Sequence, residues 1–138
     1  MSFNKLKELL IGRANGLCEY CKSPANISSQ PFVIEHIIPK SKGGETTENN
    51  LALSCQGCNN HKYNKISGID TITQEDVKLF HPRNQTWKEY FSWSDDVLEI
   101  LGINATGRVT VEELKLNRQE LKNLRKLLAD VGKHPPKE

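Results

Sequence analysis

Four cysteines, arranged as two Cys-x-x-Cys pairs, constrain the fold of this chain more than any other feature of its sequence. The pairs are Cys18-Glu-Tyr-Cys21 and Cys55-Gln-Gly-Cys58; 33 residues separate them, and no cysteine is left over. Because the two thiolates of such a pair can close on one ion, the four together predict a tetrahedral structural zinc site. The alternatives are two disulfides, which a reducing compartment disfavours, and redox-active pairs, which here lack a thioredoxin-like pattern around them.

Length and composition limit the class of protein. The 138 residues suffice for one domain, or for one core with an extension packed on it. The chain is 36% hydrophobic and 26% charged, as in ordinary globular proteins, and its net charge of +2 says little about nucleic acid, since a local basic patch suffices for binding. It has no apolar run of about 20 residues and no signal-peptide pattern. We therefore expect a cytoplasmic protein with no membrane partner.

The hydrophobic pattern of the first half predicts a helix, two strands and a second helix. Ser2 is a suitable N-cap for the first helix. Residues 32–38 are rich in β-branched and aromatic side chains and predict a strand. A polar, glycine-containing loop separates it from a short second strand over 51–53, and residues 59–66 predict a helix of about two turns.

The second half is predicted to begin with an irregular linker over residues 67–83. A β-hairpin follows, with strands over 87–93 and 97–101. A helical region starts after Thr106, and Asn117 marks a break into two helices. Its apolar side chains are spaced to form one buried stripe: Leu114, Leu121, Leu124, Leu128 and Val131.

Three polar positions lie around and between the cysteine pairs in a characteristic order. Glu35-His36 ends the first predicted strand, Asn50-Leu51 enters the second, and Asn59 directly follows the second pair. This arrangement resembles the HNH endonuclease family over residues 18 to about 65. The resemblance implies an α+β protein with a ββα-metal (His-metal) finger and a structural zinc held by all four cysteines. We expect this nuclease module over residues 1–70 and a C-terminal β-hairpin and helical extension, packed on it, over residues 71–138.

The resemblance also implies the roles of single residues. His36 takes the place of the general base, Asn50 that of the residue that orients it, and Glu35 and Asn59 those of the ligands to a catalytic divalent ion. His61 is a second choice as ligand. The physical chemistry agrees, because a histidine accepts a proton near neutral pH and oxygen ligands suit a hard cation. A carboxylate and an amide favour Mg²⁺ or Mn²⁺.

Four lysines surround the motif and are expected to contact phosphates: Lys40, Lys42, Lys62 and Lys65. The expected function is metal-dependent hydrolysis of phosphodiester bonds in DNA, with double-stranded DNA as the partner. Two alternatives remain open at this point. One is a non-catalytic zinc module that binds nucleic acid or protein, and the other is an RNA-cutting toxin.

Overall fold

The computed structural model describes residues 2–137, and the chain divides into two units. The first, here the N-terminal unit, contains the chain up to Ile66 together with His81–Asn84. The second, the C-terminal unit, contains Ser67–Phe80 and the chain from Gln85 onward. Both combine short helices with two-stranded antiparallel sheets, which confirms the predicted mixture of elements.

Helix α1 spans Phe3–Arg13 and begins at the predicted cap. The Ser2 hydroxyl accepts a hydrogen bond from the backbone N–H of Lys5 at 3.2 Å, which satisfies one of the free donors at the start of the helix. The helix ends before Asn15 and Gly16, which both have positive φ. Leu10 on the inner face is fully buried.

Strands β1 (Val33–His36) and β2 (Leu51–Ser54) pair antiparallel, with His36 opposite Leu51. Helix α2 follows at Gln56–Lys62, so the predicted start at residue 59 is wrong by three residues. The reason is local, because the Cys55 sulfur caps the helix by accepting the N–H of Cys58 at 3.4 Å. The elements β1, β2 and α2 thus follow one another directly around the second cysteine pair.

The C-terminal unit begins with a hairpin of strands β3 (Ser67–Ile69) and β4 (Asp76–Lys78), so the predicted irregular linker over 67–83 is wrong. Each strand has three residues, which is too short to show an alternating pattern. The turn is built by the buried Asp70, whose carboxylate accepts bonds from the N–H and hydroxyl of Thr73. Arg108 then pairs with the same carboxylate at 2.9 Å.

A second hairpin joins β5 (Phe91–Trp93) to β6 (Ile100–Gly102) and confirms the predicted pair of strands in a shorter form. Helices α3 (Ala105–Glu113) and α4 (Gln119–Asp130) follow, with Asn117 between them as predicted. The Asn117 amide accepts the N–H of Ile100 and donates to its carbonyl, so this residue links the break to β6.

The predicted apolar stripe of the last helices is partly wrong. Leu114 and Leu121 are buried, but Val131 is 67% exposed. Arg125 takes an inner position on α4, where its guanidinium donates to the carbonyls of Leu98 and Leu116. Within residues 2–137, no helix combines the length and the apolar character that a membrane crossing requires.

Candidate metal centre and active site

The two cysteine pairs come together in the N-terminal unit. The four sulfur atoms all lie within 4.8 Å of one another, and all four side chains are buried free thiols. The Sγ atoms of Cys21 and Cys55 are 3.7 Å apart. A zinc ion bound tetrahedrally with bonds of about 2.3 Å sets its sulfur ligands about 3.8 Å apart. The observed cluster therefore fits a single metal ion.

Backbone hydrogen bonds hold each cysteine pair in its folded conformation. In the first pair, Cys18 receives the N–H of Lys22 on its carbonyl, and Lys22 has a φ of 66° that turns the chain back. The N–H of Cys21 points at the Cys18 sulfur, at 3.5 Å. Such N–H donors stabilise negative charge on sulfur, and Cys55 receives the same support from Cys58.

The charges of the cluster also favour a cation. Burial raises the pKa of Cys18 well above its ordinary value, and contacts with the other three sulfurs raise that of Cys58. The hydrogen bond from Cys18 lowers the pKa of Cys21. Four thiolates cannot share a buried site without a compensating charge, and a bound dication supplies it and deprotonates its thiol ligands.

His36 lies at the last position of β1, at the edge of the buried core. Its imidazole is half-buried, and Nε2 is 2.8 Å from the hydroxyl of Thr46 in the loop after β1. Burial first, and then the positive charges of Lys40 and Lys62, lower the pKa of the imidazole below its ordinary value of about 6.5. The ring is therefore neutral near pH 7, as a proton acceptor has to be.

Glu35 precedes His36 but is much more deeply buried, at 5% exposure. Its Oε1 accepts a hydrogen bond from the Tyr20 hydroxyl, and its Oε2 lies 3.1 Å from the Lys62 ammonium. Burial raises the pKa of this carboxyl, and Lys62 and Tyr20 act in the opposite direction. A carboxylate offers about four acceptor positions, so these two bonds leave others for a metal ion.

Lys62 is not where a phosphate contact requires it to be. The residue is 1% exposed, and its ammonium donates to Glu35, to the Ile37 carbonyl at 2.8 Å and to the His36 carbonyl at 3.3 Å. The structure thus contradicts its prediction as a phosphate-binding residue, because the charge is already enclosed by protein acceptors. The sequence could not show which way this side chain points from a helix of two turns.

The other three predicted lysines differ in exposure. Lys40 and Lys42 are exposed on the loop that follows β1, in a short 3₁₀ turn. Lys65 is half-buried, and its ammonium donates to the carbonyl of His61 at 3.2 Å. The two loop lysines are therefore the most accessible members of the set.

Asn50 makes a different contact from the one expected of a residue that orients the imidazole directly. Its Oδ1 accepts the N–H of Ile38 at 2.9 Å, and its Nδ2 donates to the carbonyls of Ile38 and Glu45. A Cβ atom on Gly44 would collide with the Ile38 carbonyl and approach the Asn50 amide. Asn50 and Gly44 thus fasten the loop that carries Thr46, and Thr46 in turn contacts His36.

We expect Asn50→Ala to lower the free energy of unfolding by about 2 to 3 kcal/mol, because it removes three hydrogen bonds at a half-buried position. Denaturant unfolding monitored by circular dichroism measures this difference. The matched control is Asn49→Ala, at the exposed neighbouring position, for which we expect a change within about 0.5 kcal/mol. Equal losses for the two variants would show that the Asn50 bonds do not hold the loop.

The remaining predicted ligands lie on α2. Asn59 follows the second cysteine pair and is half-buried, whereas His61 is exposed. Among residues 2–137, the four cysteines are the one group of three or more His, Cys, Asp or Glu side chains close enough to hold a metal ion.

Comparison with known proteins agrees with this arrangement. The family model of the HNH endonuclease matches residues 18–65, which contain both cysteine pairs, His36 and helix α2. Residues 18–65 therefore form a domain similar to the HNH endonucleases, and the resemblance seen in the sequence is confirmed for this segment.

A curated relative extends the likeness beyond that domain. The Septu protein PtuB of Bacillus mycoides (strain KBAB4) is 30% identical over 142 residues, an alignment that covers 84% of this chain. The same alignment covers 48% of the relative, so the chain spans about half of that protein's length. No solved structure matches the chain significantly.

Proposed function

We propose that this chain is a metal-dependent DNA endonuclease built on a zinc-bound ββα-metal finger. The observation that carries the proposal is the position of His36. Its neutral imidazole stands half-exposed at the end of β1, held by Thr46, inside a domain of the HNH family. A non-catalytic zinc module has no need of a half-exposed, neutral imidazole held in this way.

His36 acts as the general base for the attacking water. Nε2 is in hydrogen-bond contact with the Thr46 hydroxyl. In the tautomer that we propose, the Nε2–H donates to this hydroxyl and Nδ1 accepts the proton. Proton removal by a positioned imidazole contributes about 10² to 10⁴-fold to hydrolysis. Asn50 stabilises the loop that carries Thr46 and so acts on the reaction only indirectly. We therefore expect its replacement to lower the rate less than the replacement of His36 does.

Glu35 and Asn59 are the proposed ligands of the catalytic divalent ion, Mg²⁺ or Mn²⁺, with His61 as second choice. Their carboxylate and amide oxygens suit a hard cation. When bound, such an ion polarises the scissile phosphate and stabilises charge on the leaving oxygen. The structural ion at the four cysteines is zinc, which fits reduced thiols in a cytoplasmic protein.

The proposed substrate is double-stranded DNA. The exposed Lys40 and Lys42 follow His36 on the loop that carries Thr46, so a phosphate bound by them lies on the same loop as the base. Lys65, shortly after the end of α2, is a third candidate for such a contact. These contacts neutralise phosphate charge and do not depend on base sequence.

The proposal is tested with supercoiled plasmid and Mg²⁺ or Mn²⁺. We expect cleavage with either ion, loss of cleavage after mild EDTA treatment, and recovery when the ion is added back, because a solvated divalent ion is held weakly. Circular dichroism before and after chelation is the control, and it should not change, because the zinc is held more tightly. A cutting rate that survives removal of the labile ion would rule out the metal-dependent mechanism.

A further inference from the structure

The deepest charged group near His36 is the ammonium of Lys62, on the last residue of α2. At 1% exposure it is almost fully removed from water. A buried charge of this kind is tolerated only when it is paired and hydrogen-bonded. Lys62 meets this requirement with one carboxylate oxygen of Glu35 and with the carbonyls of His36 and Ile37.

We propose that Lys62 is a positioning residue that fixes the end of β1 and thereby the imidazole of His36; the inference rests on the proposed function. Strand β1 ends at His36, and the N–H of the next residue, Ile37, still bonds to the Asn50 carbonyl beside β2 at 2.8 Å. The Lys62 ammonium binds the carbonyls of His36 and Ile37 from the helix side. The backbone that carries the imidazole is thus tied to α2 as well as to β2.

Tyr20 holds the other oxygen of the Glu35 carboxylate. It lies inside the first cysteine pair, it is 1% exposed, and its hydroxyl donates to Glu35. Glu35 therefore connects the first cysteine pair to Lys62, and Lys62 connects α2 to the end of β1. Through these contacts, Lys62 holds His36 in a fixed position relative to the segments that carry the cysteine pairs.

A positioning role and a phosphate-binding role of Lys62 predict different effects of its replacement. A lysine that neutralises a phosphate loses DNA affinity when it is replaced, and the slope of log affinity against log salt concentration falls by about one. A positioning lysine leaves affinity and salt slope unchanged and lowers the rate at saturating DNA. A displacement of about 1 Å at the catalytic group costs about 10²-fold in rate.

The experiment compares Lys62→Met with wild type and with Lys5→Met, an exposed lysine of α1 that serves as the control. At saturating plasmid and Mg²⁺, we expect Lys62→Met to cut about 10²-fold more slowly, with DNA affinity within about twofold and an unchanged salt slope. The ¹⁵N imidazole resonances of His36 should also shift, because the hydrogen bond to Thr46 is disturbed. Lys5→Met should match wild type in each measurement.

A buried carboxylate without its partner can prevent folding, so a second pair of variants covers that case. Glu35→Gln is compared with Glu35→Gln/Lys62→Met, in which the ion pair has lost both charges. Because Glu35 is itself a proposed metal ligand, the comparison between these two variants uses the fold and the His36 resonances: we expect the double variant to retain the fold and to show altered His36 resonances that Glu35→Gln alone does not show.

Three results would overturn the positioning role. They are a cutting rate for Lys62→Met within threefold of wild type, a loss of DNA affinity with a salt slope lower by about one, and unchanged His36 resonances in a folded variant. His36→Ala is measured alongside. If His36→Ala is inactive while Lys62→Met cuts normally, only the inference about Lys62 fails; if His36→Ala cuts normally, the proposed function fails.

Discussion

Replacement of His36 by alanine is expected to slow plasmid cleavage by about 10² to 10⁴-fold, since the variant loses the group that we propose takes the proton from the attacking water. The Glu35 carboxylate is a poor replacement for the imidazole, because it is buried against Lys62. The rate is measured with enzyme in excess over supercoiled plasmid, so that product release does not limit it.

The controls for His36→Ala separate chemistry from binding and folding. DNA affinity should stay within about twofold, because phosphate contacts come from lysines and arginines. Zinc content should be unchanged, because the cysteines are untouched. Thr46→Ala and Asn50→Ala should each lose less activity than His36→Ala, since they act through the orientation of the ring. Cleavage by His36→Ala at the wild-type rate would remove this site from the reaction.

The pH profile of plasmid cleavage by the wild-type protein provides an independent test of His36 as the proposed base. A general base works in its deprotonated form, so the rate should rise with pH below the pKa of His36 and become constant above it. Burial and the charges of Lys40 and Lys62 lower this pKa from its ordinary value of about 6.5. The midpoint of the rise is therefore expected below the ordinary histidine value, and a rate that still rises above pH 8 would exclude His36 as the base.

The parts of the site that the sequence could predict are those set by local spacing. The geometry of a Cys-x-x-Cys pair depends on four consecutive residues, so its ability to bind a metal can be predicted without knowledge of the rest of the fold. The two strands of the N-terminal unit are predictable for a similar reason, because runs of β-branched residues between turns favour strands. The role predicted for His36 comes instead from the resemblance to the HNH endonuclease family, since a lone histidine at the end of an apolar strand is usually structural.

The parts that could not be predicted depend on where a side chain points. Consecutive residues of a strand face opposite sides, which places Glu35 in the interior while His36 is more open. The Lys62 side chain points into the interior because its ammonium pairs with the buried carboxylate of Glu35. No pattern in the sequence distinguishes it from the exposed Lys40. Thr46 is one of several polar residues in a loop, and only the folded loop brings it to the imidazole.

Loss of the structural ion is expected to unfold the N-terminal unit. Structural zinc sites in finger peptides contribute about 10 to 16 kcal/mol at neutral pH, which is comparable to the total stability of about 5 to 15 kcal/mol of most domains. Removal of one ligand by Cys58→Ser should therefore abolish zinc binding and most of the far-ultraviolet circular dichroism of this unit. Elemental analysis should give one zinc ion per wild-type chain.

The control for Cys58→Ser is Ser23→Ala, which removes the hydroxyl that lies 3.1 Å from the Cys21 sulfur but keeps all four ligands. We expect this variant to bind zinc with full stoichiometry and to lose no more than about 1 to 2 kcal/mol of stability, because it removes one hydrogen bond. The decisive observation concerns the wild-type protein, in which the four cysteines are buried. A folded wild-type chain with four titratable thiols and no zinc would show that these elements hold together without the ion, and the zinc assignment would be wrong.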